Sequence, residues 1–92
     1  MDIKGKIAIV TGGIRGIGRG IAEDFISQGV SVLAAYFEGP DEAGPAVDSL
    51  NDMAHKKGVG FASLHCDLSK LPDIIRLFNF CEEKLGKADY FI

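Results

Sequence analysis

The sequence predicts an α/β fold: a doubly wound parallel sheet with strand order 3-2-1-4 and three helices, incomplete at its C-terminal side. Three observations carry that prediction. Short apolar runs alternate with stretches of helical periodicity from end to end of the 92 residues. The runs are continuous in apolarity rather than alternating, which suits strands buried on both faces. A glycine-dense segment stands between the first run and the first helical stretch, where such sheets bind their ligands. The apolar fraction of 47% and charged fraction of 25% are those of a globular chain of one domain at most.

The elements follow in order. Lys6–Val10 is apolar and β-branched, and Thr11-Gly12-Gly13 closes it. From Ile17 to Gln28 the period changes. Ile17, Ile21 and Phe25 make one line, Arg19, Glu23 and Asp24 fall off it, and Gly29 ends the helix. Ser31–Phe37 is the second strand, broken by Glu38-Gly39-Pro40. Asp41 is placed to cap the second helix, in which Ala43, Ala46, Val47, Leu50, Met53 and Ala54 have helical spacing. Lys56-Lys57-Gly58 ends it, with cations at the negative end of the dipole. Val59–His65 reads as the third strand. Ser69 is the expected N-cap of the third helix, and Pro72 falls in its first turn. Ile74, Phe78, Cys81 and Leu85 form the stripe of that helix, which ends at Gly86. Ala88–Ile92 reads as the fourth strand. Crossovers of this length are right-handed, so the sheet switches direction between its first and fourth strands, beside Thr11–Gly18.

Charge and cysteines exclude several classes. Ten basic against thirteen acidic residues give a net charge of −3, which does not suit a nucleic-acid backbone. No apolar run approaches the roughly 20 residues that span a bilayer. No secretory signal is visible at Met1–Lys6. Cys66 and Cys81 have no CxxC or Cys/His partner, so neither a zinc site nor a disulfide framework is expected. They read as small core hydrophobes, and a reducing, cytoplasmic compartment is the expectation. His55 and His65 have no partners at metal or catalytic spacing.

The segment Thr11-Gly12-Gly13-Ile14-Arg15-Gly16-Ile17-Gly18 leaves a strand and enters a helix. A diphosphate that must approach backbone N–H groups needs glycine there, because a Cβ stands in its way. The helix start adds unpaired donors and a partial positive charge. Gly12 is expected to allow the tight turn, Gly16 the close approach, and Gly18 the packing of the helix on the sheet. The spacing is TGxxxGxG, neither GxGxxG nor a P-loop, since no Lys-Ser/Thr follows.

Thr11-Gly12-x-x-x-Gly16-x-Gly18 resembles the cofactor motif of the short-chain dehydrogenases/reductases, a family built on the Rossmann-type sheet. Asp67-Leu68 after the third strand resembles that family's adenine-binding aspartate and its neighbour. Asp89, with Phe91-Ile92 behind it, resembles the lead-in to the family's Asn-Asn-Ala-Gly segment. The resemblance spans essentially the whole chain. It implies an NAD(P)-dependent oxidoreductase that moves hydride between a nicotinamide cofactor and a hydroxyl or carbonyl substrate. It also implies cofactor contacts at Gly12, Ile14, Arg15, Gly16, Ile17, Gly18, Tyr36, Asp67 and Leu68.

The end of the second strand carries the ribose selector of such folds. An acid there accepts a hydrogen bond from the 2′-hydroxyl of NAD and repels the 2′-phosphate of NADP. The corresponding residue is Tyr36, so that acid is missing, while the Arg15 guanidinium suits a 2′-phosphate. Both lean towards NADP. Glu38, two residues on, is able to bind a 2′-hydroxyl and keeps NAD open as the alternative.

The resemblance also implies a Tyr-x-x-x-Lys pair for the proton transfer. Pro40 lies four residues beyond Tyr36, and the sequence stops two residues beyond Tyr90, so no catalytic residue is assigned. The expectation is an N-terminal dinucleotide-binding part, residues 1–92, of a single domain whose catalytic half is absent, inactive by itself. A non-catalytic dinucleotide-binding module or an inert partial product is the alternative. The complete enzyme is expected to be a homo-oligomer acting on a small carbonyl or alcohol, without nucleic-acid or membrane partners. Ile75, Leu77 and Phe80 widen the apolar surface of the third helix beyond what one sheet face covers. That helix and the Ala88–Ile92 edge are therefore expected to be exposed and to cause self-association.

Overall fold

The computed structural model describes residues 2–92. Its elements alternate as read from the sequence: β1 (Ile7–Thr11), α1 (Gly16–Ser27), β2 (Ser31–Tyr36), α2 (Pro40–Lys57), β3 (Phe61–His65), α3 (Leu71–Lys84) and β4 (Tyr90–Phe91). The four strands form one parallel sheet in the order β3-β2-β1-β4. Ile9 stands beside Leu33 in β2 and Phe91 in β4, and Tyr36 pairs with His65. Thr11 carries the β1–β4 contact past the last paired residues. Its N–H and its hydroxyl both donate to the Ile92 carbonyl, at 2.8 and 2.7 Å.

Alternation along β1 and β2 divides the core between the two faces of the sheet. Ala8, Val10 and Val32 point to one side and pack with Ala22 and Ile26 of α1 and Leu50 and Ala54 of α2. Ile9, Leu33 and Ala35 point to the other and pack with Leu77 and Cys81 of α3 and with Cys66. β1 and β2 are each buried on both sides, so their apolar runs are unbroken. Among the described residues, no helix is long and apolar enough to cross a membrane.

Several local expectations need correction. The buried line of α1 is Ala22 and Ile26, with Ile21 and Phe25 partly covered. Ile17 lies in the first turn and is 86% exposed. Helix α2 begins at Pro40 with Gly39 as N-cap, so Asp41 is no cap but sits in the first turn, where its charge favours the helix dipole. The helix runs through the exposed Pro45, which removes the N–H bond of that residue. Ser69 does not cap α3 either. Lys70 holds the N-cap position without a side-chain bond, and Ser69 serves the preceding turn. On α3, Leu77 is fully buried while Phe78 is 40% exposed, so the inward face is rotated from the expected stripe. Ile75, Phe91 and Ile92 are exposed as expected.

Candidate functional site

The loop between β1 and α1 is held from behind. The N–H groups of Gly12 and Gly13 both donate to the Ala35 carbonyl, at 2.9 and 3.3 Å, which ties the loop to the end of β2. Gly12 and Gly16 have φ of +62° and +59°, a region that a side chain disfavours, and a Cβ at either would meet nothing within 4 Å. The space in front of both backbones is open. Gly18 is the opposite case, because a Cβ there would overlap the Gly12 carbonyl oxygen and lie 3.2 Å from that of Thr11. Its close neighbour is therefore the loop's own backbone rather than the broad face of the sheet. Sequence reasoning passes over Gly13, where a Cβ would lie 2.9 Å from the Val10 carbonyl oxygen. Only its position against β1 and β2 reveals that need.

Helix α1 starts without neutralising partners. Arg15, extended at φ −153°, is the N-cap and makes no side-chain cap bond, and the first turn holds no acid. Among the described residues the N–H groups of Gly16, Ile17 and Gly18 have no acceptor. Unpaired donors at a helix start, facing space that only glycine leaves open, form an anion site. These residues fit the diphosphate of a dinucleotide.

A cavity of about 470 Å³ continues from this loop along the carboxyl ends of the strands. It is lined by Gly12 and Arg15 of the loop, by Ala35–Glu38 at the end of β2, and by Cys66, Asp67 and Leu68 after β3. It thus brings together five expected residues from three separate segments: Gly12, Arg15, Tyr36, Asp67 and Leu68. Gly16 and Gly18 lie in the adjoining turn. Ile14 is buried with Ala34 and Ala43, so its side chain is core. Phe37, 66% exposed, is not among the expected contacts; its ring stacks on His65 at 5.6 Å, and His65 Nε2 lies 3.0 Å from the Phe37 carbonyl. The β2–β3 register, which aligns Tyr36 with His65, places this aromatic group at the rim. Cys66 is buried, and burial pushes its thiol pKa up, with the nearby Asp73 carboxylate acting in the same direction. It is a wall of the cavity in its thiol form.

Asp67 is fixed by its own turn. Its Oδ1 accepts the Ser69 hydroxyl at 2.6 Å and the Ser69 N–H at 3.0 Å, and its N–H donates to Asp73 Oδ2 at 2.7 Å. Lys70 Nζ is 4.0 Å from the other oxygen. These groups hold the carboxyl pKa below its ordinary value, the Ser69 hydroxyl first, the Ser69 N–H next, and Lys70 last. A lowered pKa means that folding favours the carboxylate. The resulting stability is present above the ordinary aspartate value of about 3.9 and is lost as pH falls through the lower folded value. Ser69→Ala removes the leading donor. Carboxyl NMR titration is expected to show the Asp67 midpoint moving up towards the ordinary value, and an unmoved midpoint would show that the hydroxyl does not hold it.

The fold is an α/β unit of Rossmann type with a cavity at the carboxyl ends of its strands. The family model described as short chain dehydrogenase matches residues 6–92, and the chain belongs to that family. The hydroxynaphthalene reductase-like protein Arp2 of Metarhizium guizhouense is 33% identical over 91 residues, covering 99% of this chain and 33% of its own length. The NADPH-dependent 3-quinuclidinone reductase of Rhodotorula rubra superposes with a TM-score of 0.84 at 26% identity, over 98% of this chain and 32% of that structure. The L-sorbose reductase of Gluconobacter frateurii, solved with NADPH and L-sorbose, gives 0.83 at 29% identity, over 99% and 34%. The chain spans about a third of the length of these relatives.

Proposed function

We propose that residues 1–92 are the dinucleotide-binding part of a single domain in an NAD(P)-dependent oxidoreductase, which transfers hydride between the nicotinamide and a small hydroxyl or carbonyl compound. The observation that carries this is the cavity joining the glycine loop to the ends of β2 and β3. In this reading the amides around Gly12, Gly16, Ile17 and Gly18 bind the diphosphate, and the backbone of Ile14 borders it. Asp67 accepts from the adenine amino group, and Leu68 lines the adenine pocket. NADP is the preferred cofactor. Tyr36 in place of an acid and Arg15 at the cavity support that preference, and an NADPH-dependent relative and one solved with NADPH agree with it. The cofactor, when bound, supplies the hydride chemistry. This chain's residues bind and orient its adenosine diphosphate portion.

A second reading is a dinucleotide-binding module without catalysis. It is supported by Tyr36, which has Pro40 rather than a lysine four residues on. One pair of measurements tests both. NADPH at about a hundred times its dissociation constant is expected to stabilise the folded chain by about 2.7 kcal/mol, read as a rise in melting temperature. The pure 92-residue chain is expected not to oxidise NADPH with any carbonyl compound. An unchanged melting temperature with both NADPH and NADH would overturn the dinucleotide reading, and turnover by the pure chain would overturn the assignment of the proton-transfer residues to another part of the enzyme.

A further inference from the structure

Asp73 departs from the usual work of a side chain at a helix start. It is the third residue of α3, after the N-cap Lys70, where the side chain of a capping box reaches back to the N-cap N–H. The Lys70 N–H donates instead to the Asp67 carbonyl, at 3.1 Å. Asp73 Oδ2 reaches further back and accepts the Asp67 N–H at 2.7 Å. Further along the same helix, Arg76 Nη2 donates to the His65 carbonyl at 3.0 Å. The same nitrogen lies 3.7 Å from Asp73 Oδ1. An acid and a base that neutralise each other thus grip the chain on either side of Cys66, the acid by an N–H and the base by a carbonyl.

The gripped stretch is the cavity wall after β3. The Cys66 N–H donates to the Tyr36 carbonyl at 2.9 Å, so residues 65–67 are tied to β2 and to α3 together. Bonds in which one partner is charged are the strong ones, and both bonds from α3 are of that kind. Within the turn, Ser69 occupies Asp67 Oδ1 with two donors. Oδ2 has Lys70 Nζ at 4.0 Å, and it is the oxygen left to accept an incoming N–H. The Ser69 bonds fix the carboxylate relative to its own turn, and the bonds from α3 fix that turn relative to the sheet. We infer that Asp73 and Arg76 are positioning residues: they hold the Asp67 turn so that its free oxygen meets the amino group of a bound adenine. The inference rests on the dinucleotide reading and adds to it two residues outside the cavity lining.

The test is an NMR titration of the 92-residue chain with two probes, adenosine 5′-monophosphate and purine riboside 5′-monophosphate, in which hydrogen replaces the amino group. Circular dichroism checks that each variant is folded. The wild type is expected to prefer the adenosine nucleotide by about tenfold, the lower end for a hydrogen bond to a charged group. Asp73→Ala is expected to bring that preference below about threefold by weakening the adenosine nucleotide alone. Asp73→Asn keeps an acceptor oxygen and is expected to restore most of it. Arg76→Gln, at an exposed position, is expected to lower the preference in the same direction, and it carries the test if Asp73→Ala does not fold. An unchanged preference in either variant, once folded, overturns the inference and leaves the dinucleotide reading standing. Equal weakening of both nucleotides by Asp73→Ala, the mark of a merely structural role, does the same. A wild type that binds the two probes equally overturns the adenine contact of Asp67 and the inference with it. Failure of the folded wild type to bind either probe overturns the dinucleotide reading itself.

Discussion

Gly18→Ala is expected to destabilise the chain by about 3 kcal/mol, at the upper end of the range for overpacking. The added Cβ would overlap the Gly12 carbonyl oxygen and lie 2.7 Å from the Gly12 carbonyl carbon. Backbone cannot rotate aside as a side chain does, so the turn must open. That turn is tied to β2 through the two bonds to the Ala35 carbonyl, and the strain reaches the sheet. For a chain of this size the loss corresponds to a fall in melting temperature of roughly 10–25 °C. Gly20→Ala is the control. It lies inside the same helix with nothing within 4 Å of the new Cβ, and the gain expected from replacing a mid-helix glycine is about 0.5–1 kcal/mol. Thermal melts of the two variants should therefore move in opposite directions. If Gly18→Ala melted like the wild type, the close approach of α1 to the loop would be refuted.

The same loop marks the boundary of what the sequence makes legible. Parallel strands buried on both faces leave an unbroken apolar trace, so Ile7–Val10 and Ser31–Tyr36 are readable without any partner in view. Glycines required by backbone approach recur at fixed spacing, so Gly12, Gly16 and Gly18 are readable too, and the family resemblance alone points to Asp67. Gly13 is not, because the contacts that require it come from Val10 and Ala34, and nothing in its neighbours' identities announces them. The turn at Asp67 is a similar case. Ser69 has the chemistry of an N-cap, but Asp67 offers its hydroxyl and N–H a charged acceptor two residues away, and the local turn prevails over the helix end. Ile17 continues the line of Ile21 and Phe25 in the sequence, yet the first turn of α1 leaves it uncovered. The ion pair between Arg15 and Glu38 depends on how the chain folds back after β2, which periodicity does not encode.

Helix α3 provides the second large effect. Its apolar residues are too many for one buried face, and the sequence pattern alone favours a stripe through Ile74, Phe78, Cys81 and Leu85. The structure instead buries Leu77 and Cys81 completely against Ile9 and Leu33, with Phe80 and Leu85 beside them. Leu77→Ala is therefore expected to cost about 3 kcal/mol, within the range for a buried leucine whose cavity only partly collapses. Phe78→Ala is expected to cost less despite the larger side chain, because Phe78 is 40% exposed and its ring stacks at 5.2 Å on Phe91, itself 50% exposed. Denaturant melts read the order directly, and a costlier Phe78→Ala would place the inward face where the bare pattern puts it. The outward face has its own consequence. Leu71, Ile75 and Phe78 recur at helical spacing, all exposed, and the Phe78–Phe91 stack joins them to the unpaired edge of β4. An apolar surface running from a helix onto an open sheet edge favours association. Sedimentation velocity on the 92-residue chain is expected to show concentration-dependent self-association that Ile75→Glu with Phe78→Glu reduces, whereas a monomer at all concentrations would refute it.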